Sequence, residues 1–327
     1  MYKALFCLIA TLIISGCSIK KAEEKPPPWY MNPPKDSEFI YETASATTLL
    51  GARNNALLLI NRNLYSQIMK TFKASNSPLH IKNELEYKEL MQASSKAVND
   101  IVFQSIKILH TIQFHSNQFI LLAVPKNMIF QKEKKKLDAL YEPLKKELES
   151  IDGLSTLEQY ARLKPAAQKL NKIAVLAALL QTLSAGFDTH EYFTFVNDTK
   201  ERTAAIKNSM SVRVLGDFNS LKLVNQLKQG LSKEDIFIDK TLNRENGYDI
   251  FMLTDAAQKT DSRFFNIVLT VKIITATKDK KIISVKTHTF TGKSNKSYED
   301  AKLQAESNMN ARLRSLRIFD FLGLIKK

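Results

Sequence analysis

Residues 264–277 read FFNIVLTVKIITAT, residues 278–280 read KDK and residues 281–292 read KIISVKTHTFTG. Two runs rich in Ile, Val, Thr and Phe flank three polar residues. Such side chains pack well on a pleated surface, so the segment predicts a β-hairpin. Downstream, residues 298–316 place Ala301, Ala305, Met309 and Leu313 in near-helical register, which predicts a helix. Upstream, residues 211–215, 236–239 and 248–254 read as further strands, and 219–231 as a helix. The expected fold class is α+β, with helices laid on a mostly antiparallel sheet.

The same reading extends toward the N-terminus. Residues 39–44 read as a short strand, and 47–72 run helically with Ala52, Ala56, Leu59, Ile60, Leu64 and Ile68 on one side. A helix at 82–97 follows, then strands at 101–114 and 118–124 separated by His115-Ser116-Asn117. Residues 127–150 are charged and helix-prone, with Met128, Phe130, Leu137, Leu140, Tyr141 and Leu144 as the expected buried stripe. Residues 155–184 form a second helical stretch, almost wholly apolar across 173–180, with Gly186 expected as its C-cap. Two small helix-on-antiparallel-sheet units, 35–130 and 187–327, are therefore expected on either side of a helical hairpin at 131–186. A chain of this length exceeds the usual single-domain size.

The first residues carry a different signal. Lys3 supplies one positive charge, and 4–14 form an apolar run interrupted only by Thr11. That is the layout of a signal peptide, expected over 1–16. A permanent membrane helix needs roughly twenty residues, which this run does not reach. It ends in Ile14-Ser15-Gly16-Cys17, which resembles the bacterial lipobox: an aliphatic residue and two small ones before a cysteine. Cleavage before Cys17, with lipidation of its sulfur (diacylglycerol and palmitate-type acyl chains), is the expected processing. Each buried methylene contributes about 0.8 kcal/mol, so two or three chains hold a protein on a membrane. Ser18, with no Asp at that position, directs such proteins to the outer membrane by the family's sorting tendency. The proline-rich stretch 17–34 reads as a stiff, polar spacer.

Only Cys7 and Cys17 exist. Cleavage removes the first and acylation consumes the second, so neither disulfides nor thiol chemistry is expected of the mature chain. The formal charge of +15 falls by one with Lys3. A strongly basic exported protein points to cell-wall polymers such as peptidoglycan, acidic headgroups or acidic protein partners, with solvated lysine faces as the plain alternative; no nucleic-acid partner is expected.

Residues 29–124 resemble the family of small outer-membrane lipoproteins named after the twenty-kilodalton Lpp antigen, which includes flagellar basal-disk lipoproteins. The likeness lies in Pro28-Trp29-Tyr30 after the spacer and in the strand from Phe39 to Ala46. It continues in the helix bearing Ala52-Arg53-Asn54-Asn55-Ala56 and the strand ending in Leu121-Leu122-Ala123-Val124-Pro125. Members commonly carry a glycine-containing turn after that first strand, whereas here the first glycine beyond it is Gly51. The resemblance implies a non-catalytic, often oligomeric envelope component, in some members serving motility; a body in the periplasm and a homo-oligomer are the matching expectations for this chain.

Catalytic chemistry finds no support in the sequence. His80, His110, His115, His190 and His288 do not share zinc-motif spacing, so no metal is assigned. The glycines are dispersed, so no phosphate loop can be drawn and no cofactor is expected. The carboxylate pairs Glu147/Glu149 and Asp198/Glu201 lie in charged stretches where a solvated face is the usual arrangement. Gly216-Asp217-Phe218 reads either as a ligand loop or, with Asp217 as N-cap, as a helix start. Trp29 either touches headgroups or plugs a core, and Phe319, Phe321, Leu322 and Leu324 form either an exposed patch or tail packing.

Overall fold

In the computed structural model the described residues are 26–74, 77–261 and 263–325. Cys17 and the lipobox residues Ile14, Ser15 and Gly16 lie outside them. In chain order the elements are α1 (Pro28–Met31), β1 (Phe39–Ala46), α2 (Leu49–Lys73), α3 (Glu84–Asn99), β2 (Lys107–Phe114) and β3 (Asn117–Pro125). There follow α4 (Lys126–Glu149), α5 (Thr156–Leu183), α6 (His190–Ser209), β4 (Met210–Gly216), a 3-10 turn (Phe218–Ser220) and α7 (Leu221–Lys233). The chain ends in β5 (Asn246–Asp261), β6 (Phe264–Thr277), β7 (Ile282–Ser294), α8 (Tyr298–Ser315) and α9 (Ile318–Phe321). The fold is α+β, with helices and two mostly antiparallel sheets. Among the described residues no helix is long and apolar enough to cross a membrane.

Two compact units emerge, one drawn from residues up to 63 together with 103–127, the other from 64–102 together with 128 onward. In the first, the sheet order is β1-β3-β2, antiparallel throughout. β3 is the buried centre strand: Ile120, Leu121, Leu122 and Val124 are fully buried. The small side chains of Ala52 and Ala56 on α2 pack with Ala44, Ile120 and Leu122 and let the helix approach the sheet closely. Tyr30 meets Phe119 edge-on at 4.6 Å. The strand expected from 101 begins only at Lys107, after Ser105 takes a positive φ of 54°. A bulge between Ile108 and His110 further breaks the alternation.

In the second unit the sheet order is β4-β5-β6-β7. β5, β6 and β7 are antiparallel, with the predicted hairpin running from Phe265↔Ser294 to Ala276↔Ile282. β4 pairs parallel to β5, from Met210↔Asn246 to Gly216↔Met252. A parallel neighbour needs a crossover, and the 3-10 turn and α7 supply it. Residues 236–239, expected as a strand, make only an isolated parallel bridge between Ile238 and Val212. α8 lies on β7, where Gly292 leaves no room for a side chain: a Cβ there would stand 1.8 Å from the Ala301 carbonyl oxygen.

α5 begins with a capping box, in which Ser155 accepts from the Glu158 amide while the Glu158 carboxylate accepts from the Ser155 amide. Its residues 173–180 are buried on all sides, because α3 and α6 both pack along it. The helix stops at Ser184 in extended backbone. Gly186, expected as the C-cap, is therefore not one. α4 buries Ile129, Glu133, Leu137, Tyr141, Leu144 and Leu148. The stripe is rotated from the expected one, so Met128 is exposed and a glutamate takes a core position. α6, which periodicity did not reveal, joins α4 through an aromatic cluster: Tyr141 packs on Tyr192 at 4.9 Å and on Phe195 at 5.1 Å.

Candidate functional site

α3, α4 and α5 enclose a groove of about 360 Å³, the lower end of the size range of small-molecule sites. Small side chains create it. Ala93 and Ala97 on α3 and Ala139 on α4 line it together with Leu140, Val175 and Leu176, and these short side chains leave an apolar trough between the three helices. Its polar groups are Lys96 on α3, Asp100 at that helix's C-cap, Glu133 and Lys136 on α4, and Lys172 on α5.

Glu133 is 1% exposed, an expensive position for a charge without a partner. Lys136 Nζ, one helical turn on, donates to Glu133 Oε1 at 2.7 Å and supplies that partner. Lys96 and Lys172 stand at the mouth, exposed, and make no ion pair among the described residues. Apolar walls with two uncommitted ammonium groups suit a molecule with an apolar body and an anionic end. Sequence reading placed Leu140, Val175 and Leu176 among buried apolar residues but missed the grouping and every polar member of it. Three alanines and three lysines on separate helices have no shared spacing, and only a glutamate inside an apolar stripe could have drawn attention to α4.

A second polar cluster lies on α4 and α6. Tyr141 Oη donates to Glu191 Oε1 at 2.6 Å, and Lys145 Nζ donates to the same oxygen at 3.0 Å. Burial, then the bond to Glu191, pushes the Tyr141 phenol up to about 12. The bonds from Tyr141 and Lys145 hold the Glu191 carboxyl below its usual range. A phenol so hard to ionise and a carboxylate so hard to protonate form a structural clasp.

The family comparison and the curated-protein comparison return no match. Two solved structures are similar in part. A secreted protein from Helicobacter pylori shares 14% identity at a TM-score of 0.37, covering 85% of this chain and 98% of that one. A minor lipoprotein from Acinetobacter baumannii shares 15% identity at a TM-score of 0.22, covering 35% of this chain and 84% of that one. The functional reading rests on the residues of this chain.

The histidines are dispersed. His110 stacks on Trp29 at 5.5 Å, which places that tryptophan against β2. His115 takes the positive-φ position of the β2–β3 turn, His190 opens α6, and His80 lies 3.9 Å from Glu201. His288 stacks on Phe321 at 4.2 Å. Among the described residues no group of three or more potential ligands could hold a metal. Phe319, Phe321, Leu322 and Leu324 are buried, so the C-terminal aromatic group is tail packing.

Asp217 departs from its expected role. It makes no side-chain cap to the turn that follows. Its Oδ2 instead accepts the Thr254 amide of β5 at 2.8 Å, and its Oδ1 is buried without a partner among the described residues. The carboxylate thus continues the β4–β5 ladder for one more bond after β4 has ended.

Proposed function

We propose that this protein is a non-catalytic lipoprotein of the bacterial envelope, held on the outer membrane through acyl chains on Cys17 with its body in the periplasm, and that it works as a structural or interaction component. The observation that carries this reading is Ile14-Ser15-Gly16-Cys17 at the end of the apolar run 4–14. A soft thiolate after two small residues suits thioether formation with a diacylglycerol carrier, and the lipid supplies the membrane hold. The test is metabolic labelling with a radiolabelled fatty acid. Label is expected on the wild-type chain and none on Cys17→Ala; an unlabelled wild-type chain, or label that survives the substitution, refutes the reading. The flagellar role implied by the family resemblance predicts that a deletion strain swims poorly, and normal swimming with normal motor architecture removes it.

The groove on α3, α4 and α5 supports a second reading, a periplasmic ligand-binding lipoprotein for a small molecule with an anionic end. A fluorescent fatty acid is expected to bind with 1:1 saturation. Ala139→Trp, which fills the groove from an exposed position, is expected to abolish binding without lowering thermal stability. Equal binding by that variant excludes the groove.

A further inference from the structure

β5 is sixteen residues long, but β4 covers only its first part, as far as Met252. There the Asp217 amide donates to the Met252 carbonyl at 3.2 Å, the Asp217 carboxylate takes the Thr254 amide, and the chain turns away into Phe218. β5 continues in unbroken register with β6 to Asp261. Among the described residues no strand covers the other edge of its second half, and residues 255–259 are all exposed. A long open edge is a template for another strand.

Parity shows which groups point outward. The Gly247 carbonyl bonds Lys278 on the β6 side, whereas Met252 and Thr254 bond Asp217 on the β4 side. Even-numbered residues of β5 therefore present their backbone groups to the open edge, and among the described residues Ala256 and Gln258 find no strand there. Odd-numbered side chains, Leu253, Asp255, Ala257 and Lys259, share one face of the sheet. Neither Asp255 nor Lys259 makes an ion pair among the described residues. At the β4 end of this edge stand Phe218, 88% exposed, and Leu253, 46% exposed, apolar surface that solvent contact disfavours.

We infer that the edge 254–261 of β5 pairs antiparallel with the same edge of a second copy, about a two-fold axis at Ala257. This register is self-complementary. It sets Ala256 opposite Gln258, so the outward backbone groups exchange both hydrogen bonds, and it sets Asp255 of each copy opposite Lys259 of the other. A shift of one residue would oppose outward with inward backbone groups. A shift of two would face Asp255 with Ala257 and lose both charge pairs.

The register makes a sharp test in the full-length protein in its own membrane. At the axis the two Ala257 positions form a non-hydrogen-bonded pair with Cα atoms about 4.5 Å apart, inside the range a disulfide spans. Under mild oxidation Ala257→Cys is expected to give a covalent dimer on a non-reducing gel. The parent and Ala256→Cys, whose side chain points to the other face, are expected to stay largely monomeric. Adding Asp255→Lys sets like charges across the axis and should cut the dimer at least fivefold; adding Lys259→Asp as well restores opposite charges and should recover it. Recovery also excludes loss of fold as the cause. Cross-linking of Ala257→Cys no greater than that of the parent or of Ala256→Cys, or a yield indifferent to Asp255→Lys, overturns the proposal.

Discussion

Arg213 grips Asp249 across the parallel β4–β5 pair, Nε donating to Oδ1 at 2.7 Å and Nη2 to Oδ2 at 3.1 Å. Asp249 is fully buried, and Lys280 Nζ adds a bond at 3.2 Å. Burial raises the carboxyl pKa, but the Arg213 and Lys280 bonds outweigh it, and the net shift is downward. Arg213→Ala leaves the buried charge with Lys280 alone and is expected to cost about 3 kcal/mol, the lower end for breaking a buried pair. The sign with pH follows. A depressed carboxyl contributes stability that is fully present above the unfolded pKa near 4 and is lost as pH falls through the folded value. Acid titration followed by circular dichroism should therefore find Arg213→Ala unfolding at higher pH than the wild type.

Gly292→Ala tests the seating of α8. The added Cβ would meet the Ala301 carbonyl oxygen at 1.8 Å and the Ala305 amide nitrogen at 2.7 Å, both backbone atoms that cannot rotate away. The helix must lift from β7, with an expected loss at or above about 3 kcal/mol, the upper end of ordinary overpacking. Hydrogen exchange should show faster exchange concentrated in α8.

His288 makes the C-terminal packing pH-dependent. Its ring stacks on Phe321, and its Nε2 lies 2.8 Å from the Phe321 carbonyl oxygen. Burial lowers its pKa below the ordinary 6.5, against the opposing pull of that carbonyl. The unfolded chain thus takes up the proton first, so the stability contribution is whole above pH 6.5 and declines as pH falls below it. His288→Phe keeps the stack and removes the titration. Thermal melts between pH 7 and 5 should slope less for this variant than for the wild type.

Asp217→Ala removes the acceptor of the Thr254 amide and is expected to cost about 1–2 kcal/mol in thermal stability. Asp217→Asn keeps an acceptor oxygen and should cost less. Equal losses in the two variants would show that the amide bond is not what the carboxylate contributes.

Several of these residues show what sequence reading could and could not reach. The hairpin of β6 and β7 and the helix carrying Ala52 and Ala56 were legible, because strand composition and helical spacing are local signals. α6 was not. Its buried residues Tyr192, Phe193, Val196 and Asn197 are interrupted by polar positions that only its packing partners explain. Glu133 was likewise not read as a core residue, since a glutamate is buried only where a partner such as Lys136 meets its charge. Asp217 carries ordinary cap chemistry, yet its carboxylate serves a strand thirty-seven residues away.

By itself the sequence determined the α+β class, the main hairpin and the expectation of a lipid anchor at Cys17, each of which depends on neighbours along the chain. Tertiary structure alone decided the parallel pairing of β4 with β5, the groove between three helices and the open edge that follows Met252. Those features come from where distant segments meet and where one strand outlasts its partner, and no local spacing encodes either.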